Sequence, residues 1–216
     1  MVSAHEHEHG EAEPNWFEPD DWEVRYAGDG RTWSGRANPQ LVDLIAPLQA
    51  GTALDVGCGE GGDVVWLAQH GWRTTGADFS ANGLARAARH AADAGVADRT
   101  DWMQVDARDF DAAGRTWDLV TTHFLHPGDG GMADVVGRLA AAVAPGGHLL
   151  VVGHAPTGHF AERSTAQLRA MFLAADLVPA LPDGFDILVA EERGRTAVHD
   201  GVPMDVEDAT LFARRR

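Results

Sequence analysis

Residues 53–62 read ALDVGCGEGG, the densest run of glycine in the chain, and how its glycines are counted decides the fold reading. Counted from Gly57, Gly59 and Gly62 it is G-x-G-x-x-G, a turn that aims a helix N-terminus at a pyrophosphate. Counted from Asp55 it is D-x-G-x-G-x-G, ending at Gly61, with a carboxylate still on the strand. A carboxylate there repels a pyrophosphate, and Glu60 inside the turn repels it again. A ligand that carries an ammonium and no phosphate suits the second count. Position agrees with it: dinucleotide loops usually open their domain, whereas residues 15–50 stand before this one.

Outward from the loop, strand and helix patterns alternate. The apolar stretch 52–56 is a strand, 63–69 a helix closed by Gly71, and 73–77 a second strand. Ser80 caps a long alanine-rich helix through Ala92. Residues 101–105 and 117–122 follow as strands, 132–143 as a helix, and PGG at 145–147 leads into the strand 148–152. Another helix is expected at 164–174, then an antiparallel pair at 187–191 and about 209–214. Before the loop, 37–48 reads as a helix, with Asn38 as N-cap and Pro39 at its first position. Residues 1–14 show no apolar periodicity and are expected to be disordered, 15–50 to form a short N-terminal helical cap, and 51–216 the main domain. This βα alternation predicts an α/β, Rossmann-like, doubly wound sheet.

In such a sheet ligands lie beyond the carboxyl ends of the strands. Asp78 closes the second strand in TTGADFS, where its carboxylate can accept from both hydroxyls of a ribose. Asp106 closes the third in MQVDARDF, where it can accept from an adenine amino group while the next backbone N–H meets a ring nitrogen. With the loop these acids point to S-adenosylmethionine, whose amino-acid end is cationic and which has no phosphate. The motifs, in this order and spacing over about residues 51–216, resemble the class I S-adenosylmethionine-dependent methyltransferases. The resemblance implies that Asp55, Gly57, Cys58, Gly59 and Gly61 line the methionine part, Asp78 and Phe79 the ribose, and Asp106 with Ala107 the adenine. Thr122, near the end of the fourth strand, joins that set. It further implies seven strands with the last antiparallel. WEVRYAGDGRTWSGRANPQL (22–41) resembles the cap of the small-molecule branch that includes tellurite-resistance and thiopurine S-methyltransferases, which sets Trp33 against the cofactor, an aromatic face meeting a sulfonium.

Composition narrows the acceptor. The net charge of −16 argues against nucleic acid and anionic membranes, both of which call for clustered basic side chains. All 17 basic residues are arginine, so no lysine can serve as base or Schiff-base amine. The single Cys58 suits a reducing cytoplasm and reads as a small residue that saves space in the loop. No apolar run reaches the ~20 residues of a membrane span. No structural metal site is expected, although His5, His7 and His9 form a short His-rich tract. His123 and His126 follow the fourth strand and His154 the fifth, which places them around the transferable methyl as candidate bases or substrate ligands, His123 first. The expected reaction is methyl transfer to a small molecule, above all a soft nucleophile such as a thiol or chalcogen oxyanion, by a monomer or homodimer. The rivals are an O- or N-methyltransferase with a His base, a non-catalytic S-adenosylmethionine-binding module, and a nicotinamide-dependent oxidoreductase.

Overall fold

The computed structural model describes residues 19–28, 30–199 and 202–216. The expected tail 1–14 with its three histidines lies outside the described residues. Seven strands form one sheet: β1 (Thr52–Val56), β2 (Arg73–Asp78), β3 (Thr100–Gln104), β4 (Trp117–His123), β5 (Val143–His154), β6 (Phe185–His199) and β7 (Val202–Arg215). Their order is β3-β2-β1-β4-β5-β7-β6. The first five are parallel, and β7 enters between β5 and β6, antiparallel to both. The chain runs outward from β1 to β3, then returns past β1 to β4, so the order reverses between β1 and β4. That reversal leaves a crevice at their carboxyl ends.

Both faces of the central strands are covered, which is why these strands read as apolar runs. Leu54, Val120, Leu149, Val151 and Leu211 face one core, packed against Val135, Val136 and Leu139 of α5 (Met132–Ala141). Their neighbours Ala53, Leu119, Leu150, Val152 and Phe212 face the other, with Leu67 of α3 (Gly62–Gln69) and Leu41 and Ile45 of α2 (Pro39–Ile45). Leu41 and Ile45 are fully buried, each worth about 1.5–3 kcal/mol over an exposed position. Asn38 caps α2 by accepting from the Gln40 amide at 2.8 Å, and Ser80 caps α4 (Ala81–Asp93) by accepting from Gly83. The remaining N-terminal element, α1 (Pro19–Ala27), packs on α4.

Two expectations change. The helix expected at 164–174 is two short ones, α6 (Thr165–Ala170) and α7 (Ala174–Leu177). Between them Met171 is extended and Phe172 turns into the core, where its ring fills the space a side chain at Gly153 would need. The two tail strands are far longer than 187–191 and 209–214. Their polar stretch 191–199 lacks an apolar alternation because β7 meets β5 only over 208–214; beyond that, the hairpin pairs with itself.

Candidate functional site

The loop after β1 answers the question of counting. Gly57, Gly59 and Gly61 have φ of 79°, 50° and 78°, and Gly62 does not share this region because it already begins α3. A left-handed backbone favours glycine, so the strained positions are those of the count that starts at Asp55. The amides of Gly57 and Cys58 donate to the Ala77 carbonyl, tying the loop to β2. A Cβ on Gly57 would lie 3.2 Å from Leu125, and one on Gly59 2.7 Å from the Tyr26 hydroxyl.

The acids of the next two strands are placed by their own hydrogen bonds. Asp78 is buried and accepts from the amides of Gly59 at 2.8 Å and Ser80 at 2.9 Å. Burial raises its pKa although both amides oppose the rise. Phe79 follows it, its carbonyl taking the Gln104 amide nitrogen. Asp106 is held below its ordinary value by hydrogen bonds from Arg108, and Ala107 beside it is buried. Cys58 is buried, its thiol pushed up by that burial. Thr122 is buried with its hydroxyl unpartnered among the described residues.

The segment before β1 reaches the same loop. Tyr26 of α1 is buried against Gly59, its hydroxyl accepting from Trp33 Nε1 at 2.9 Å. Burial raises the Tyr26 pKa, so the phenol stays protonated. The Trp33 ring is 47% exposed and lies against Trp22. Glu60 anchors this segment: it accepts from the amides of Thr32 and Trp33 and pairs with Arg86 at 2.6 Å. Arg86 in turn donates to the carbonyls of Gly28 and Gly30. Glu23 of α1 accepts from the Ser80 hydroxyl and the Asn82 amide at the start of α4. Neither Glu23 nor Arg86 stands out in the sequence, since their partners lie from 26 to 59 residues away along the chain.

The three histidines after β4 and β5 have different surroundings. His123 is buried beneath the loop, its Nδ1 3.0 Å from Asp63 and 3.6 Å from Asp55. Neither nitrogen makes a directed hydrogen bond, so the attraction is between charges. Burial alone lowers its pKa, but Asp63 and Asp55 outweigh it and push it up to about 10. Asp55, whose carboxyl burial raises, also accepts from the Thr121 hydroxyl at 2.8 Å. Burial opposes the ionisation of Asp63 too, yet His123 and the Asn38 amide hold it below its ordinary value. Asp55, Asp63 and His123 are the one group of three with metal-ligand side chains in reach of one another among the described residues.

His126 is spent on structure. Its Nδ1 stands 3.0 Å from the Ala170 carbonyl and its Nε2 accepts the His154 amide. Burial, then the neighbouring His154, pushes its pKa down to about 4. His154 keeps one nitrogen open. Its Nδ1 faces Asp208 at 3.3 Å, and Asp208, fully buried, is gripped from its other side by Arg195. Asp208 and Arg195 come from the hairpin and carry no motif; only the pairing of His154 with Asp208 across β5 and β7 brings them here.

Comparison with known proteins agrees with this layout. A methyltransferase domain family matches residues 53–147. Phosphatidylethanolamine N-methyltransferase from Cereibacter sphaeroides is 33% identical over 106 residues, 49% of this chain and 52% of that protein, so the match spans about half the curated relative. A structure solved for the conversion of a disulfide bond into a thioacetal group during echinomycin biosynthesis superposes with TM-score 0.69 at 22% identity, covering 90% of both chains. N-methyltransferase NodS from Bradyrhizobium japonicum WM9, in complex with S-adenosyl-L-homocysteine, gives 0.66 at 17% identity, covering 89% of this chain and 96% of its own. Residues 53–147 thus match a methyltransferase domain family, and the chain has the fold of the class I S-adenosylmethionine-dependent methyltransferases.

Proposed function

We propose that this chain transfers the methyl group of S-adenosylmethionine to a small-molecule acceptor at the carboxyl ends of β4 and β5. The observation that carries the reading is the loop: three left-handed glycines beneath Asp55, with Asp78 and Asp106 closing the next two strands. The matched family and the S-adenosyl-L-homocysteine held by NodS support the same cofactor. Asp55, Gly57, Cys58, Gly59 and Gly61 would hold its amino-acid part, Asp78 and Phe79 its ribose, Asp106 and Ala107 its adenine, Thr122 would join them from β4, and Trp33 would cover it. When bound, the cofactor supplies a methyl on a sulfonium, which departs as a neutral thioether. The protein's work is alignment, worth up to ~7–11 kcal/mol in intramolecular models.

A soft nucleophile, a thiol or chalcogen oxyanion, is the acceptor reading for a site whose two histidines at and after the end of β4 offer no free base. Two observations support it: His123 and His126 are already engaged, and one neighbour in fold is associated with chemistry at sulfur. The curated relative is named for methylation of an amine, in a protein of which this chain spans about half. The charge of −16 speaks against a polyanionic acceptor, and no helix among the described residues is long and apolar enough to cross a membrane.

Calorimetry tests the cofactor. Binding of S-adenosylhomocysteine without binding of NAD(H) or NADP(H) is expected, and the reverse restores the oxidoreductase. Product mass spectrometry with a deuterated-methyl donor in a small-metabolite extract then separates an enzyme from a non-catalytic binder: a labelled product is the expected outcome.

A further inference from the structure

Beside the loop, the ends of β4 and β5 carry a second cluster built from distant parts of the chain. Phe124 leaves β4 with φ of 55°, a conformation that costs a bulky residue energy and points to a local requirement. Its amide still donates to the Val152 carbonyl, so the strain is held by the sheet. The result is an outward ring, 36% exposed, whose centroid lies 4.6 Å from the His154 ring. Phe160, from the turn 158–162, approaches the same imidazole at 4.5 Å. The Arg195 guanidinium covers Phe124 at 5.3 Å. Thr157 donates to Glu207 at 2.6 Å, and the Ala155 amide donates to the Glu207 carbonyl, which pins the segment after β5 to the hairpin. Leu125, next to Phe124, is the residue that lies over Gly57, so this cluster adjoins the cofactor loop.

The chemistry of the cluster follows from Asp208. Its carboxylate is acceptor-only, so the Nδ1 that faces it carries the proton and Nε2 carries the lone pair. Arg195 holds the carboxylate in place, and that fixes the tautomer. Nε2 has no hydrogen-bond partner among the described residues, and the His154 side chain is 28% exposed. The charged or titratable groups around this ring are Asp208 of β7, Arg195 of β6, His126 after β4 and Glu207 of β7.

Resting on the methyl-transfer reading, we propose that His154, oriented by Asp208, takes the proton of an acceptor whose ionisable O–H or S–H is borne on a flat aromatic ring lying by Phe124 and Phe160. In that step the X–H bond breaks, the proton forms an N–H bond at Nε2, and the electron pair stays on oxygen or sulfur, ready to bond to carbon. Nothing is oxidised. Asp208 balances the imidazolium, Arg195 at the rim favours the anion, and the proton leaves to water afterwards. His154 is then the catalytic base and Asp208 a positioning residue. A chalcogen oxyanion, which brings no proton, has no use for this pair.

The test uses the full chain saturated with S-adenosylhomocysteine and titrated with 4-nitrophenol at about pH 6, where the free phenol is largely neutral. Bound phenol is expected to show the nitrophenolate band, and His154→Ala to abolish it while S-adenosylhomocysteine affinity stays within about twofold. Asp208→Asn is expected to weaken the band, because the amide no longer demands the Nδ1–H tautomer; if that variant fails to fold, His154→Gln, which leaves the buried Asp208–Arg195 pair intact, still tests the base by losing the band. In turnover, His154→Ala is expected to lower the 4-nitrophenol rate by ~10²–10⁴-fold and that of 4-nitrothiophenol, already ionised, far less. No band in the wild type, or a band unchanged in His154→Ala, overturns the assignment while cofactor binding leaves methyl transfer standing. Absence of S-adenosylhomocysteine binding sinks the methyl-transfer reading itself.

Discussion

Two histidines end neighbouring parallel strands, each beside an aspartate, and their environments send them in opposite directions. His123, at the end of β4, lies between Asp63 and Asp55 in the dry interior beneath the glycine loop, and the carboxylates lock a proton onto it. His154, at the end of β5, meets a single carboxylate that Arg195 already neutralises, and it is partly exposed. The first arrangement holds a charge still and serves the fold. The second leaves a lone pair in reach of a ligand. Residue type and position at a strand end do not separate the two; the count of carboxylates and the access of water do.

The largest expected effect is on the inner cluster. His123→Ala leaves two buried carboxylates without their cation and is expected to cost about 3–5 kcal/mol of stability, read by urea unfolding. A loss below 1 kcal/mol would erase the distinction from His154.

The same cluster has a pH signature. The folded pKa of His123, about 10, lies above its ordinary 6.5, so its contribution is whole below pH 6.5 and is lost as pH rises through 10. Wild type is therefore expected to exceed His123→Gln by about 2–4 kcal/mol at pH 6 and by much less near pH 10. A constant difference across that window would show that the imidazole is not charged there.

Cofactor affinity sharpens the contrast next. Asp78→Ala is expected to weaken S-adenosylhomocysteine binding by about 1.5–3 kcal/mol in calorimetry, since charge-assisted hydrogen bonds to the ribose are lost. Unchanged affinity with the fold intact would move the ribose elsewhere.

The smallest effect belongs to the outer cluster. His154→Ala removes a partly exposed ring and leaves Asp208 paired with Arg195, so it is expected to cost within about 1 kcal/mol of stability. Thermal melts of the two alanine variants, run side by side, give the comparison its most direct form.

Much of the scaffold could be read in advance. The strand 52–56, the Asn38 and Ser80 caps and the choice of Gly57, Gly59 and Gly61 over Gly62 all match the structure, because each depends on residues within a few positions. The helix expected over 164–174 does not, because Phe172 gains more from the core beside Gly153 than from continuing a helix. The hairpin extends beyond the expected strands because its outer half pairs only with itself and shows no apolar alternation.

The ligand groups divide along the same line. A glycine is required wherever the backbone turns left-handed, and a carboxylate at a strand end is visible as a letter, so the sequence alone determined the loop, its acids and the fold they belong to. Which imidazole can accept a proton was decided by tertiary structure. Asp63 and Asp55 reach His123 across sixty and sixty-eight residues of chain, and Asp208 reaches His154 across fifty-four. Those distances are closed by sheet order and by the antiparallel register of β7 on β5. A proton's position depends on the charges within a few ångströms in space, and no local pattern along the chain specifies them.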